Sequence, residues 1–202
     1  MNYFEKYRAR IREVLDETLI TDARCEPLDP EEGIAQWSAK SRATVDASGH
    51  HFFAGNGASA MMASHMAIDC TKNAGFNATA FNDAAMLTAV GNDIGYDSVF
   101  AYPLQRYSKP GDLLVTISSS GSSPNIIKAL KTAKEMGLTT VTLSGMRTNN
   151  PCRDLGDINI WVPGRTYGIV ECAHQVILHC WLDHYMDIRD WDETGFQTAD
   201  AK

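Results

Sequence analysis

The spacing of apolar residues along this chain changes twice. Near the start, Tyr3 or Phe4, Tyr7, Ile11, Val14, Leu15 and Leu19 recur at helical intervals. They predict a first helix that ends before the proline-containing stretch Cys25 to Pro30. A second helix is expected from about Glu31 to Val45. The apolar residues then arrive in short runs instead: His51–Ala54, Ala78–Phe81, Leu113–Ile117, Thr140–Leu143 and Ile158–Val162, with helical stretches in most of the gaps. Short apolar runs alternating with helices predict a doubly wound α/β fold on a mostly parallel five-stranded sheet. A last helix, about Gly168 to Met186, is apolar on most of its faces and is expected to be buried against the sheet or between subunits. Residues 1–47 thus read as N-terminal helices, 48–186 as the α/β core and last helix, and 187–202 as a loosely held acidic tail.

Composition narrows the picture. With 202 residues, 44% hydrophobic and 21% charged, the chain suits one well-buried domain. The net charge of -7 leaves no basic stripe, so neither nucleic acid nor an anionic membrane surface is an expected partner. The first ten residues are charged and helical in pattern, without the apolar core of a signal peptide, and no run is long enough to span a membrane; the expected location is the cytoplasm. Five cysteines, none in a Cys-x-x-Cys pair, read as reduced thiols used mostly in packing.

Two strand-to-helix turns carry the candidate chemistry. After the run ending at Ile117 come Ser118-Ser-Ser-Gly-Ser-Ser-Pro-Asn125, with Ser123 placed as a helix N-cap and Pro124 in the first helical position, where a missing amide proton costs nothing. Ser118, Ser119, Ser120 and Ser123 supply hydroxyls, and the helix start supplies free amides and a positive dipole end. That combination suits a phosphate dianion. The second turn, Gly55-Asn-Gly-Ala-Ser59, sets small residues and the Ser59 hydroxyl at another helix start, where a ligand can approach the backbone closely. In a doubly wound fold both turns lie at the carboxyl ends of strands, where ligands bind.

Ionisable groups follow on two helices. His65 and Asp69 are four residues apart and share a face; on the last helix Glu171 and His179 are about two turns apart, with His174 between them. If the two faces meet, His65, Asp69, Glu171 and His179 could hold a divalent metal such as zinc or act as a general acid/base group. Met61, Met62 and Met66 read as core packing. Trp161, Trp181 and Trp191 could line the site or pack, and packing at a subunit interface is expected of Trp181.

Taken together, the Gly55–Ser59 turn, His65, a Gly91-Asn-Asp93 turn followed by Gly95, the Ser118–Ser123 loop and a last helix holding His179 resemble the sugar isomerase (SIS) domain family. Within that family the match is to the phosphoheptose isomerase kind. The resemblance implies a homotetramer with active sites at subunit interfaces, substrate phosphate in the serine loop, and conversion of sedoheptulose 7-phosphate into the aldose through an enediol. It implies Asn56, Ser59, Asp93, Ser118, Ser119, Ser120 and Ser123 as substrate contacts, with Asn56 and Asp93 touching sugar hydroxyls or organising the loop. Asp69, Glu171 and His179 would be catalytic, and His65, Asp69, Glu171 and His179 would hold zinc.

Two positions depart from the family pattern. Asp69 stands where a glutamate is expected and is shorter by one methylene, and Glu171 stands where a glutamine is expected. An expected arginine is replaced by Ile169, for which Arg165 could substitute. The paired exchanges either preserve a metal site with the base relocated or mark a different sugar phosphate. A non-catalytic module that senses a sugar phosphate is the other reading, and the four ionisable groups argue for an enzyme.

Overall fold

The structure, a computed structural model, describes residues 1–189. In chain order its elements are α1 (Tyr3–Asp16), β1 (Leu19–Asp22), β2 (Pro27–Leu28), α2 (Pro30–Asp46), β3 (His50–Gly55), α3 (Ala58–Ala74), β4 (Asn77–Ala80), α4 (Ala84–Asp93), α5 (Ala101–Tyr107), β5 (Leu113–Ser118), α6 (Pro124–Glu135), β6 (Thr139–Gly145), β7 (Ile158–Val162) and α7 (Tyr167–Tyr185). The expected acidic tail lies, from residue 190 onward, outside the described residues.

All strands join one sheet in the order β2-β1-β7-β6-β5-β3-β4. The five from β7 to β4 are parallel, as the apolar runs predict, and the middle three are buried along nearly their whole length. The sheet has seven strands instead of five because β1 pairs antiparallel with β7, and β2 with β1. Leu19 fits the face of the first helix by spacing, yet the helix closes earlier. The Thr18 hydroxyl donates to the Val14 carbonyl, and Ile20 and Thr21 then bury against the sheet. Asp22 folds the chain back by accepting from the amides of Arg24 and Glu26, and Cys25 takes a positive φ of 63° in the turn.

A doubly wound sheet has helices on both faces. One face holds α1, α2, α3 and α7 over a core that includes Phe53, Met66, Val115, Ile160 and Leu178. The other holds α4, α5 and α6 over Phe52, Phe81, Phe100, Leu114 and Leu130. Met62 and Met66 pack as expected, whereas Met61 is exposed. Trp181, expected at a subunit interface, instead stacks on Trp37 within the chain, with centroids 4.2 Å apart and planes 6° from parallel. Trp161 is buried beneath the Arg153 guanidinium, and Trp191 lies outside the described residues. Only Cys70 and Cys152 are core thiols; Cys25, Cys172 and Cys180 are exposed, against the expectation that most would pack. No helix among the described residues is long and apolar enough to cross a membrane.

The topology fixes where a ligand can sit. From β3 the chain steps to β4 on one side and then returns to β5 on the other, so the order reverses between β3 and β5. A crevice opens at such a reversal, outside the carboxyl ends of the two strands. Gly55 pairs with Ile117 there, and both candidate turns leave the sheet at that point.

Candidate active site

The serine turn begins where β5 ends. Ser118 still pairs with Ser144 of β6, and the Gly121 amide closes a turn onto the Ser118 carbonyl at 2.9 Å. Gly121 has φ +61°, and a Cβ on it would lie 2.0 Å from Asn150 Oδ1, so the position demands glycine on two counts. Asn150, buried after β6, donates to the Ser144 hydroxyl and to the Gly145 and Arg147 carbonyls, while the Cys152 amide reaches the Gly121 carbonyl. The turn is therefore braced from the neighbouring strand. Ser123 sits at the N-cap of α6 and Pro124 at its first position, as expected, but the Ser123 side chain makes no capping bond. The Ser119 hydroxyl is enclosed and has no hydrogen-bond partner among the described residues. The Ser120 hydroxyl accepts only a long bond, 3.3 Å, from the Ser122 amide. Buried hydroxyls are seldom left without a partner, and one in a turn that leads into a helix N-terminus fits a ligand anion.

The glycine turn after β3 is equally constrained. A Cβ on Gly55 would lie 2.5 Å from the Ser59 carbonyl oxygen, and Gly57 has φ +58°. Ser59 is buried at the start of α3, its amide bonded to the Asn56 carbonyl. Asn56, expected to meet sugar hydroxyls or to organise its loop, is paired with Asn125 of the serine turn by two hydrogen bonds of 2.9 and 3.0 Å. Asp93 is an exposed residue at the end of α4, its carboxylate accepting from Asn92. The expected Gly91-Asn-Asp93 turn is thus the last part of a helix, because Asp83 caps α4 and Val90 anchors it in the core; the turn follows at Gly95.

On the face of the sheet they share, α3 packs on α7 and brings together three of the four ionisable groups. His65 Nε2 lies 3.2 Å from Asp69 Oδ2, and the His65 and His179 rings meet edge to face with centroids 5.3 Å apart. One donor atom from each of His65, Asp69 and His179 lies within 4.8 Å of the others. Two imidazoles and a carboxylate are a donor set that zinc accepts. Glu171, half-buried two turns before His179 on α7, is not part of that group. His179 also lines an open groove of about 500 Å³ with Cys172, Gln175, Val176, Cys180 and Asp183.

His174, between Glu171 and His179, has a structural role. It is fully buried and donates from Nε2 to the Ser144 carbonyl at 3.1 Å, tying α7 to the carboxyl end of β6. Burial pushes its pKa down to about 4, so the ring is neutral and the tautomer is the one protonated on Nε2. Sequence reasoning that counted hydroxyls and charges passed over Asn125 and Asn150, the two amides that brace the turns. Their signal was their position, each beside a loop glycine or proline.

Comparison with known proteins agrees with the fold. Residues 3–145 match the model of the SIS domain family. A phosphoheptose isomerase of Mycobacterium tuberculosis is 37% identical over 139 residues, covering 66% of this chain and 70% of that protein. Among solved structures, a phosphoheptose isomerase from Francisella tularensis superposes with a TM-score of 0.78 at 25% identity, covering 92% of this chain and 95% of that one. One from Neisseria gonorrhoeae gives a TM-score of 0.77 at 26% identity, over 91% and 95% of the two chains.

Proposed function

We propose that this chain, which belongs to the SIS domain family and is an aldose–ketose isomerase of the phosphoheptose isomerase kind, interconverts sedoheptulose 7-phosphate and D-glycero-D-manno-heptose 7-phosphate. The observation that carries the reading is the grouping of His65, Asp69 and His179 in a chain whose serine turn also holds an enclosed, unpartnered hydroxyl. An anion cradle with an unpartnered buried hydroxyl lies at the β5–α6 turn, and an acid–imidazole group lies where α3 meets α7.

In this reading Ser118, Ser119, Ser120 and Ser123 hold the phosphate, with Ser59 and the amides at the start of α3 facing the sugar. A carboxylate, Asp69 or Glu171, removes the proton from the carbon beside the carbonyl, and His179 gives a proton to the carbonyl oxygen. The result is an enediol. Returning a proton to the neighbouring carbon and taking one from the first hydroxyl completes the shift of the carbonyl, with no net gain or loss of protons. His65, Asp69 and His179 would hold a divalent metal, with zinc the choice their chemistry favours, and the ion would supply Lewis acidity beside the carbonyl. Asp69 is also bonded to His65, so Glu171 is the better placed of the two carboxylates to serve as a base free of the metal.

Met61, Ile68 and Val176 are exposed around the same group, which supports assembly through this face into a homotetramer with the site at a subunit boundary. The test is to follow conversion of sedoheptulose 7-phosphate by NMR with metal-analysed protein, alongside Asp69→Ala, Glu171→Ala and His179→Ala. Turnover abolished by Glu171→Ala and His179→Ala is expected. A parent that binds the sugar phosphate without converting it would sink the assignment of substrate and favour another sugar phosphate.

A further inference from the structure

We infer that Asn125 is a positioning residue that acts through Asn56, locking the phosphate turn to the turn that launches α3; the inference rests on the isomerase reading above. Asn125 is the second residue of α6 and is buried, with its side-chain amide taken up by hydrogen bonds within the chain. Its amide faces that of Asn56 across the crevice. Asn125 Nδ2 donates to Asn56 Oδ1 at 2.9 Å, and Asn56 Nδ2 donates back to Asn125 Oδ1 at 3.0 Å. Asn125 Oδ1 also accepts from the Ile126 amide at 3.0 Å. Flipping the Asn125 amide would turn an NH₂ group toward two donors, so one orientation alone satisfies the pair.

Asn56 is held from both sides. Its Oδ1 also receives a long contact from the Tyr96 hydroxyl, 3.5 Å, and its carbonyl accepts from the Ser59 amide. With its carbonyl oxygen committed to Asn125 and Tyr96, the side chain serves as a clasp between turns. The clasp joins two elements with different tasks. One turn anchors the phosphate; the other starts the helix that carries His65 and Asp69. Fixing one against the other sets the distance between the held end of the sugar phosphate and the reacting end, and transfer of a proton is sensitive to displacements of an ångström or less.

The test is a double-mutant cycle with Asn56→Ala, Asn125→Ala and the pair, reading kcat and KM for sedoheptulose 7-phosphate and the affinity for inorganic phosphate. Each single change is expected to lower kcat about tenfold, and the double change to cost no more than either single one. Affinity for inorganic phosphate is expected to stay within about twofold, because the serine hydroxyls remain. Should Asn125→Ala fail to fold, Asn56→Ala breaks the same clasp from the half-exposed side and is expected to show the same loss of kcat with phosphate affinity kept. Losses that add in the double variant, parental kcat in Asn56→Ala or Asn125→Ala, or loss of phosphate binding in a folded variant would each overturn the clasp while leaving the isomerase reading intact. A parent that turns over no sugar phosphate would overturn both.

Discussion

The rings of His65 and His179, residues more than a hundred positions apart in the chain, stand edge to face with centroids 5.3 Å apart and join α3 to α7. With Asp69 bonded to His65, they form a three-donor group that an ion would cross-link. An ion that binds only the folded chain stabilises it. Zinc is therefore expected to raise the melting temperature of chelator-treated protein, and His179→Ala to weaken zinc binding at least about tenfold. Titration of metal content by emission spectrometry checks this; a His179→Ala protein that keeps parental zinc affinity would remove His179 from the donor set.

Ser119 separates a role in binding from a role in folding. Its hydroxyl is buried without a partner among the described residues, so removing it takes away a desolvated group and none of their hydrogen bonds. Ser119→Ala is expected to melt at or slightly above the parental temperature, and to bind a sugar phosphate about tenfold more weakly through the loss of one hydrogen bond to an anion. Calorimetry with inorganic phosphate and a thermal melt give both numbers. A variant that loses stability and keeps its affinity would make Ser119 a structural residue.

The fold was legible where a single period governs burial. All five parallel strands stand within two residues of the apolar runs, because strands buried on both faces leave little room for polar positions. The β1–β2 hairpin escaped because Leu19 continues the helical spacing of α1, while hydrogen bonds at Thr18 and Asp22 turn the chain away from it. In the site, the serine and glycine turns could be read from glycines, prolines and hydroxyls, which act locally. Convergence of His65, Asp69 and His179 could be posed but not read, since it depends on how α3 packs on α7. Asn56 was assigned by its place beside Gly57, and nothing local to it signals that its partner is Asn125, 69 residues away.

Gly121 offers a test of the bracing beneath the serine turn. An alanine there must accept φ +61° and place its Cβ against Asn150, whose own amide is tied to Ser144, Gly145 and Arg147. Strain and overlap together are expected to destabilise Gly121→Ala by about 2 kcal/mol or more, with phosphate binding lost alongside. Urea denaturation with and without phosphate measures both. The second variant, Asn150→Ala with Gly121→Ala, relieves the overlap and is expected to recover part of the stability; no recovery would place the cost elsewhere.

Acid sensitivity follows from two buried imidazoles. His51, fully buried on β3 against Phe76, has no partner for either ring nitrogen among the described residues, and burial pushes its pKa down to about 3, with neighbouring His50 adding to the shift. His174 is pushed down to about 4 by burial, opposed by its bond to Ser144. Both return to an ordinary value near 6.5 on unfolding. Above pH 6.5 neither state binds the proton and their contribution is complete; below it the unfolded chain takes up protons that the folded one refuses, until the folded pKa is reached. Stability is therefore expected to fall with pH between about 6.5 and 4, each histidine contributing a slope of up to about 1.4 kcal/mol per pH unit. His51→Phe keeps a flat ring against Phe76 and removes one of the two titrating groups, so its urea stability at pH 7 should match or exceed the parent's. Between pH 6 and 5 it should lose stability more slowly than the parent, by about one histidine's share. Parallel slopes for the two proteins would show that His51 is protonated in the fold and that another group governs the acid limb.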